Sequence, residues 1–186
     1  MSGPLAGRRE DEAVYPIYVI LGTSHQIQWR PRYETPESKL IDGLESAIRG
    51  LIAKHNIRLV AEEGLPGFPL TLPCQIAKDQ RMCYLQIEMT SREEEASGIL
   101  EQMEMLRALN SKGDADYRCP RADDIRENYW LDKIGHDPSA SRVLVVCGYA
   151  HTRFLAKKVR DRGCAAEEVF FPEGLKERKV VELPDC

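Results

Sequence analysis

One plan occurs twice in the chain, in Tyr18-Val19-Ile20-Leu21-Gly22-Thr23-Ser24-His25 and in Leu144-Val145-Val146-Cys147-Gly148-Tyr149-Ala150-His151. In each stretch an apolar run ends at a glycine, and a histidine stands three positions after that glycine. Continuous apolar runs of this length favour strands that are covered on both faces, as in parallel sheets. A glycine at the end of such a strand lets the backbone turn sharply. The repeat therefore predicts two buried strands, each followed by a histidine at its carboxyl end.

Helical patterns alternate with strand patterns outside the repeat. Apolar residues recur at helical spacing from Leu40 to Ile52, and Thr35 and Pro36 are suited to begin that helix. Further helices are predicted at 123–134 and 151–162, and further strands at 57–61, 83–87 and 165–171. This alternation predicts an α/β fold with a mainly parallel sheet flanked by helices. Residues 1–13 are predicted to form a loose tail, and 14–186 a single α/β domain.

Two segments between the strands have weaker patterns. Ser91 and Glu94 form a possible capping box, and apolar residues behind it predict that one helix continues through Leu106. Residues 110–121 are polar and contain a glycine and a proline, which predicts a loop.

Composition and charge exclude several classes of protein. The 186 residues carry a net charge of −4, whereas a protein that binds the nucleic-acid backbone is usually basic. No apolar run approaches the roughly 18 residues of a membrane span, and Met1–Val14 has no apolar core of a signal peptide. The six cysteines lack zinc-finger spacing, so we expect reduced thiols and a cytoplasmic protein. The oligomeric state is left open.

The four histidines divide into two groups. If their strands are neighbours, His25 and His151 would lie at one edge of the sheet, where imidazole suits metal ligation or general-base chemistry. Alternatively, each caps the next helix or bonds a backbone group. His55 and His136 follow helical segments and are predicted to lie on the surface, where the helix dipole favours them.

Carboxylates follow the other predicted strands. Glu62 and Glu63 come after the second strand, and Glu88 ends the third. In a parallel sheet these side chains would reach the same edge as the histidines. The alternation along the second strand does not decide which of Glu62 and Glu63 points toward that edge.

Glu127 is the most informative carboxylate, because it shares a helical face with Trp130 and Ile134. A carboxylate on a core-facing stripe needs a cation, a metal or several donors. Arg126 lies at the edge of the stripe, so the alternative is that Arg126 or a lysine pairs with Glu127 and only stabilises the helix. The chain has no G-x-G-x-x-G, G-x-x-x-x-G-K-[ST], G-x-S-x-G or H-E-x-x-H motif.

Four short motifs, in chain order, resemble those of the broad TraB/Tiki/ChaN-like superfamily, which is related to erythromycin-esterase-like proteins. They are Gly22-Thr23-Ser24-His25, Ala61-Glu62-Glu63, Arg126-Glu127-Asn128-Tyr129-Trp130-Leu131 and Gly148-Tyr149-Ala150-His151. The resemblance covers most of the chain, from Ile17 to Leu155. It implies an α/β fold and a site made of both histidines, an acidic residue and the arginine helix. Glu127 departs from the pattern, since some members carry Asn or Asp after the arginine.

Members of this superfamily include metal-dependent proteases, a haem-binding lipoprotein, metal-free esterases and pheromone-shutdown membrane proteins. The resemblance thus implies a hydrolase of peptide, amide or ester bonds, with a small-molecule or peptide substrate. A divalent metal (Mn, Co or Zn) would activate water and polarise the substrate carbonyl. Haem ranks behind the metal. The alternatives are a metal-free hydrolase with a histidine as general base, and a non-enzymatic protein that binds haem, another small ligand or a protein partner.

Roles for individual residues follow from this hypothesis. The predicted metal ligands are His25, His151 and Glu127. The predicted catalytic residues are Glu62 or Glu63, as ligand or general base, and Arg126, which would steady a developing oxyanion or the carboxylates. Contacts to substrate are predicted for the remaining strand-end residues, namely Gly22, Thr23, Ser24, Glu88, Gly148 and Tyr149.

Overall fold

A five-stranded parallel sheet forms the centre of the molecule in the computed structural model, which describes residues 16–24, 38–64, 70–111, 116–137, 139–173 and 180–183. Its strands are β1 (Ile17–Thr23), β2 (Leu59–Glu62), β3 (Cys83–Gln86), β5 (Arg142–Gly148) and β6 (Ala165–Phe171), in the order β3-β2-β5-β1-β6. A second, two-stranded parallel sheet pairs β4 (Asp116–Arg118) with β7 (Val180–Glu182).

Six helices connect the strands in the described part of the chain. They are α1 (Ser38–His55), α2 (Leu72–Asp79), α3 (Ser91–Ala96), α4 (Leu100–Asn110), α5 (Pro120–Gly135) and α6 (Tyr149–Asp161). None of these helices is both long and apolar enough to cross a membrane. The predicted α/β class and the mainly parallel sheet are confirmed. The predicted tail at 1–13 and the predicted helix start at Thr35 and Pro36 lie outside the described residues.

The sheet is covered on both faces, which explains the continuous apolar runs. Alternate residues of β1 point to opposite faces, with Ile20 against α5 and α6 and with Val19 and Leu21 against α1 and α2. Trp130 and Leu155 belong to the first of these cores and Leu44 to the second, all at 0% exposure. Fully burying a side chain of this size stabilises the fold by about 1.5–3 kcal/mol, so neither face tolerates a polar residue cheaply.

The two copies of the repeat are neighbours in the sheet. Strand β1 pairs with β5 in a register that places Gly22 beside Cys147 and Thr23 beside Gly148. The condition for a shared site is therefore met at the level of the strands, since both units leave the sheet at the same height. His25 itself lies outside the described residues.

The segment from 90 to 121 differs from its prediction. The expected single helix is wrong: α3 ends at Ala96, and Gly98, with a φ of +67°, adopts a conformation that breaks the helix before α4. The expected cap is wrong as well. Thr90 and Glu93 form the capping box, because the Thr90 hydroxyl accepts from the Glu93 N–H while Glu93 accepts from the Thr90 N–H.

The end of that segment is more ordered than predicted. Within the expected loop, residues 116–118 form β4, which β7 completes from the C-terminal part of the chain. Helix α5 begins at Pro120, three residues before the predicted start, because proline is suited to a first helical position. A third apolar core, which includes Met89, Ile99 and Cys119, joins this region to the rest.

Candidate functional site

Arg126 lies at the centre of a buried group of charged side chains beside the carboxyl ends of β2 and β5. Its Nη2 donates to Glu63 Oε1 at 2.8 Å and to Glu88 Oε2 at 2.5 Å, and its Nη1 donates to Asp123 Oδ1 at 2.9 Å. We call the whole set the Arg126 cluster; its members are Glu63, Glu88, Arg118, Asp123, Arg126, Glu127 and His151. Helix α5 supplies three of them from one face, and α6 supplies His151 from its first turn.

His151 is the histidine of the cluster, and its two ring nitrogens have different surroundings. Nδ1 is 3.0 Å from Glu127 Oε1. Nε2 is 3.4 Å from Arg126 Nη1, 3.7 Å from Glu63 Oε1 and 3.9 Å from Asp123 Oδ1. The imidazole also stands edge-on to the Trp130 ring, with 5.0 Å between the ring centroids. The ring is therefore fixed in orientation by a carboxylate on one side and an aromatic wall on another.

The charges around His151 determine its protonation. Burial by itself lowers the pKa of a histidine, but the negative charges of Glu63 and Asp123 and the hydrogen bond to Glu127 outweigh burial and the opposing charge of Arg126. The pKa of His151 is consequently raised above its ordinary value. The pKa of Arg126 is raised as well, because the carboxylates of Glu88 and Glu63 overcome the effect of its burial.

Glu127 is placed as its sequence pattern predicted, although its partner is a different arginine. It is 0% exposed, and its Oε1 lies 2.9 Å from Nη2 of Arg118 as well as 3.0 Å from His151. Of the alternative partners for Glu127, Arg126 is wrong, because it turns toward Glu63, Glu88 and Asp123 instead. A lysine does approach, since Lys158 Nζ lies 3.9 Å from Glu127 Oε2.

Glu62 and Glu63 point to opposite faces of the sheet, which settles the choice that the sequence left open. The Oε2 of Glu63 accepts from the Gly148 N–H at 2.7 Å, and its Oε1 accepts from Arg126. Glu62 accepts from the Tyr84 hydroxyl at 2.7 Å and from Thr71 on the α1–α2 face. The structure thus brings Glu63 into the Arg126 cluster and leaves Glu62 on the other side of the sheet.

The residues predicted to contact substrate occupy several positions around the strand ends. Glu88 lies against Arg126, and the Gly148 N–H is bound by Glu63. A Cβ at Gly22 would overlap Thr152 Oγ1, so this glycine lets α6 pack closely on β1. Thr23 is fully buried, Tyr149 is buried and Ser24 is partly exposed. Their contact with a substrate stays a prediction.

Sequence reasoning missed Arg118 and Asp123. Asp123 stands three residues before Arg126 and so shares its helical face, which is a signal that the sequence does carry. Arg118 lies in a three-residue strand with no periodic pattern, and nothing in the sequence distinguishes it from other arginines. His55 is the last residue of α1 and is partly buried near Glu167, while His136 is exposed, as predicted.

The cluster gathers charges of both signs. Four carboxylates (Glu63, Glu88, Asp123 and Glu127) face two guanidinium groups and one histidine, and Lys158 Nζ lies 3.9 Å from Glu127 Oε2. Buried charges of this kind are stable only when they are paired and hydrogen-bonded. His151, Arg126 and Glu88 each keep 6% exposure while Glu127 has none, so Glu127 is the most deeply buried of these four residues.

The predicted metal ligands are only partly within view. His25 lies outside the described residues, and His151 and Glu127 bond each other. Within the described residues, no group of three or more His, Cys, Asp or Glu side chains is arranged to hold a metal ion. The metal therefore stays a prediction.

In comparisons with family models, curated proteins and solved structures, nothing matches this chain. These comparisons leave the resemblance to the TraB/Tiki/ChaN-like superfamily untested. The chemistry of the Arg126 cluster is therefore the feature of this chain that points to a function.

Proposed function

We propose that this protein is a hydrolase of ester or amide bonds that uses acid–base chemistry at the Arg126 cluster, as a small member of the TraB/Tiki/ChaN-like superfamily. The hydrogen bond between His151 Nδ1 and the buried Glu127 is the observation that carries the proposal. A histidine oriented by a buried carboxylate is the working pair of many hydrolases. The pair lies beside the carboxyl ends of parallel strands, where α/β folds bind their ligands.

In this proposal His151 acts as a general acid. Because Glu127 accepts the Nδ1 proton, the second nitrogen, Nε2, is the one left to act on a substrate, and it faces Glu63 and Arg126. The raised pKa favours the protonated ring, and the proton on Nε2 would pass to the leaving group as the scissile bond breaks.

Arg126 and His25 complete the proposed chemistry. The Arg126 guanidinium carries a fixed positive charge that would stabilise the oxyanion of the tetrahedral intermediate. His25 follows β1, the neighbour of β5, and would be the general base that removes a proton from the attacking water.

A metal-dependent hydrolase is the second candidate, supported by the carboxylates gathered around His151. Because Glu127 Oε1 bonds Nδ1 of His151, Glu127 would orient the ring rather than share an ion with it, and Nε2 would be the nitrogen left for a metal. The described residues then supply only one of the predicted ligands, so the metal-free form is the first proposal.

The test is a panel of chromogenic esters and peptide amides assayed with the purified protein in the presence and absence of a strong chelator. We expect hydrolysis of at least one class, unchanged by the chelator, and losses of about 100- to 10,000-fold in kcat for His151→Ala and His25→Ala. His136→Ala is the matched control, since this histidine is exposed and its ring bonds a backbone carbonyl, that of Asp132, and no side chain among the described residues. Full activity in both His151→Ala and His25→Ala would refute the proposal.

Metal analysis after mild purification separates the two candidates. About one bound metal per chain that is lost in His151→Ala, together with inactivation by the chelator, would favour the metal-dependent form. If no ester or amide is cleaved while a haem titration gives a visible absorbance band, the non-enzymatic alternative replaces both.

A further inference from the structure

Arg118 is a buried arginine that reaches the site from outside the main sheet. It is 3% exposed, and its Nη2 lies 2.9 Å from Glu127 Oε1. Its Nη1 donates to the Ala150 carbonyl at 3.4 Å, and its Cζ lies 3.4 Å from the centroid of the Phe154 ring. A carboxylate, a carbonyl and an aromatic face therefore hold the guanidinium in one place.

A single oxygen of Glu127 serves two donors. Its Oε1 accepts from Arg118 and from His151, whereas Oε2 has no hydrogen-bond partner among the described residues and lies 3.9 Å from Lys158 Nζ. A fully buried carboxylate that loses one of its two donors would turn toward another cation, and Lys158 Nζ is within reach of its second oxygen. Glu127 thus depends on Arg118 for its direction.

We propose that Arg118 is a positioning residue: it holds Glu127 turned toward Nδ1 of His151, and so determines that Nδ1 keeps its proton when Nε2 gives one up. The inference rests on the proposed function for its consequence in catalysis. Arg118 touches no reacting atom. Its Nε lies 3.8 Å from Asp123 Oδ2, but its closest carboxylate is Glu127, through which it acts as orienting partners behind a catalytic histidine do.

The position of Arg118 is set by the small sheet. Arg118 is opposite Glu182 in the β4–β7 ladder, and the Arg118 carbonyl accepts from the Leu183 N–H at 2.8 Å. The site is thereby supported from α5, from α6 and from the C-terminal part of the chain.

Arg118→Gln and Arg118→Lys test the proposal, with Arg162→Gln as the control. Arg162 is a surface arginine of the same size, 2.7 Å from Asp132. The readouts are the ring ¹⁵N chemical shifts of His151, recorded above its folded-state pKa where they report the tautomer of the neutral ring, and kcat and KM on an ester or amide that the wild-type protein cleaves. Because the shifts need no substrate, they are informative even if no substrate is found.

In Arg118→Gln we expect loss of the Nδ1–H tautomer preference and a fall of about 100-fold in kcat with little change in KM. Arg118→Lys keeps the charge but presents a single ammonium, so it should recover part of both signals. Arg162→Gln should match the wild type. A folded Arg118→Gln protein with the wild-type ring spectrum and kcat would overturn the proposal.

The failure of this inference can be told apart from failure of the proposed function. A wild-type protein that cleaves nothing, but whose His151 spectrum changes in Arg118→Gln, refutes the function and leaves the positioning role intact. If Arg118→Gln does not fold, the double variant Arg118→Gln/Glu127→Gln carries the test, because it removes the buried ion pair as a unit. Ring spectra and kcat equal to those of Glu127→Gln alone would support the proposal, and any further loss would overturn it.

Discussion

His151 experiences opposing influences, and the balance between them makes the stability of the fold depend on pH. Burial disfavours its charged form, whereas Glu63, Asp123 and Glu127 favour it and prevail, so the pKa of His151 is higher in the folded than in the unfolded chain. Between those two pKa values the folded state binds more protons. Stability from this residue is therefore fully present below about pH 6.5 and is lost as the pH rises through the folded-state pKa.

Urea unfolding of the wild type and of His151→Gln at pH 6 and pH 9 tests this dependence. The free energy of unfolding of the wild type should exceed that of the variant by more at pH 6 than at pH 9, because only the charged imidazole is stabilised by the carboxylates. His136→Gln corrects for the loss of a histidine at an exposed site. A difference that grows toward pH 9 would contradict the assignment.

Gly22 is a residue whose missing side chain matters. A Cβ there would overlap Thr152 Oγ1 and would lie 2.9 Å from the Tyr149 backbone. We expect Gly22→Ala to lower the free energy of unfolding by about 1–3 kcal/mol, as overpacking does. Thr152→Ala added to it should recover only part of the loss, because the Tyr149 backbone remains.

Gly50 provides the control for that measurement. It lies in α1, and nothing stands within 4 Å of the position that a Cβ would occupy, so Gly50→Ala should raise the free energy of unfolding by about 0.5–1 kcal/mol. A Gly22→Ala protein as stable as Gly50→Ala would show that α6 does not rest on this glycine.

At the scale of the elements, the cap of α3 separates two neighbouring hydroxyls. Thr90, and not Ser91, bonds the first turn, and the hydrogen bonds that Glu93 accepts from Tyr129 and Thr90 lower the pKa of Glu93 to about 2. Thr90→Ala should cost about 1 kcal/mol of stability in chemical unfolding at neutral pH. Ser91→Ala should leave the stability nearly unchanged. A larger loss of stability in Ser91→Ala than in Thr90→Ala would instead support Ser91 as the cap, as the sequence suggested.

Elements with a strong period were the ones that the sequence could predict. The apolar runs of β1 and β5 and the core-facing stripe that holds Glu127 were all readable, because burial on a strand or helix leaves a regular pattern. Strand β4 has three residues, too few to show a periodic pattern, so the sequence could not predict that Arg118 belongs to the site. The break at Gly98 depends on one backbone angle that many glycines do not adopt, and the separation of Glu62 from Glu63 depends on where β2 ends.

At the scale of the whole molecule, the C-terminal strand β7 is connected to the Arg126 cluster through β4. Strand β7 holds β4, β4 holds Arg118, and Arg118 holds Glu127. Ending the chain after residue 179 should lower kcat about as much as Arg118→Gln, roughly 100-fold, while far-UV circular dichroism keeps the signature of the main sheet. Wild-type kcat in the shortened protein would show that Arg118 is held without β7.

The position of β1 in the sheet also determines when this strand can pair during synthesis. Both of its neighbours, β5 and β6, come late in the chain, so at the ribosome this apolar strand stays unmatched while roughly 120 further residues are added, a delay of about 6–24 s at about 5–20 residues per second. Strands β2 and β3 pair with each other well before that. The first strand–histidine unit to be synthesised is thus among the last to be paired in the sheet. During that delay a chaperone, or another nascent chain, can bind β1 before β5 does.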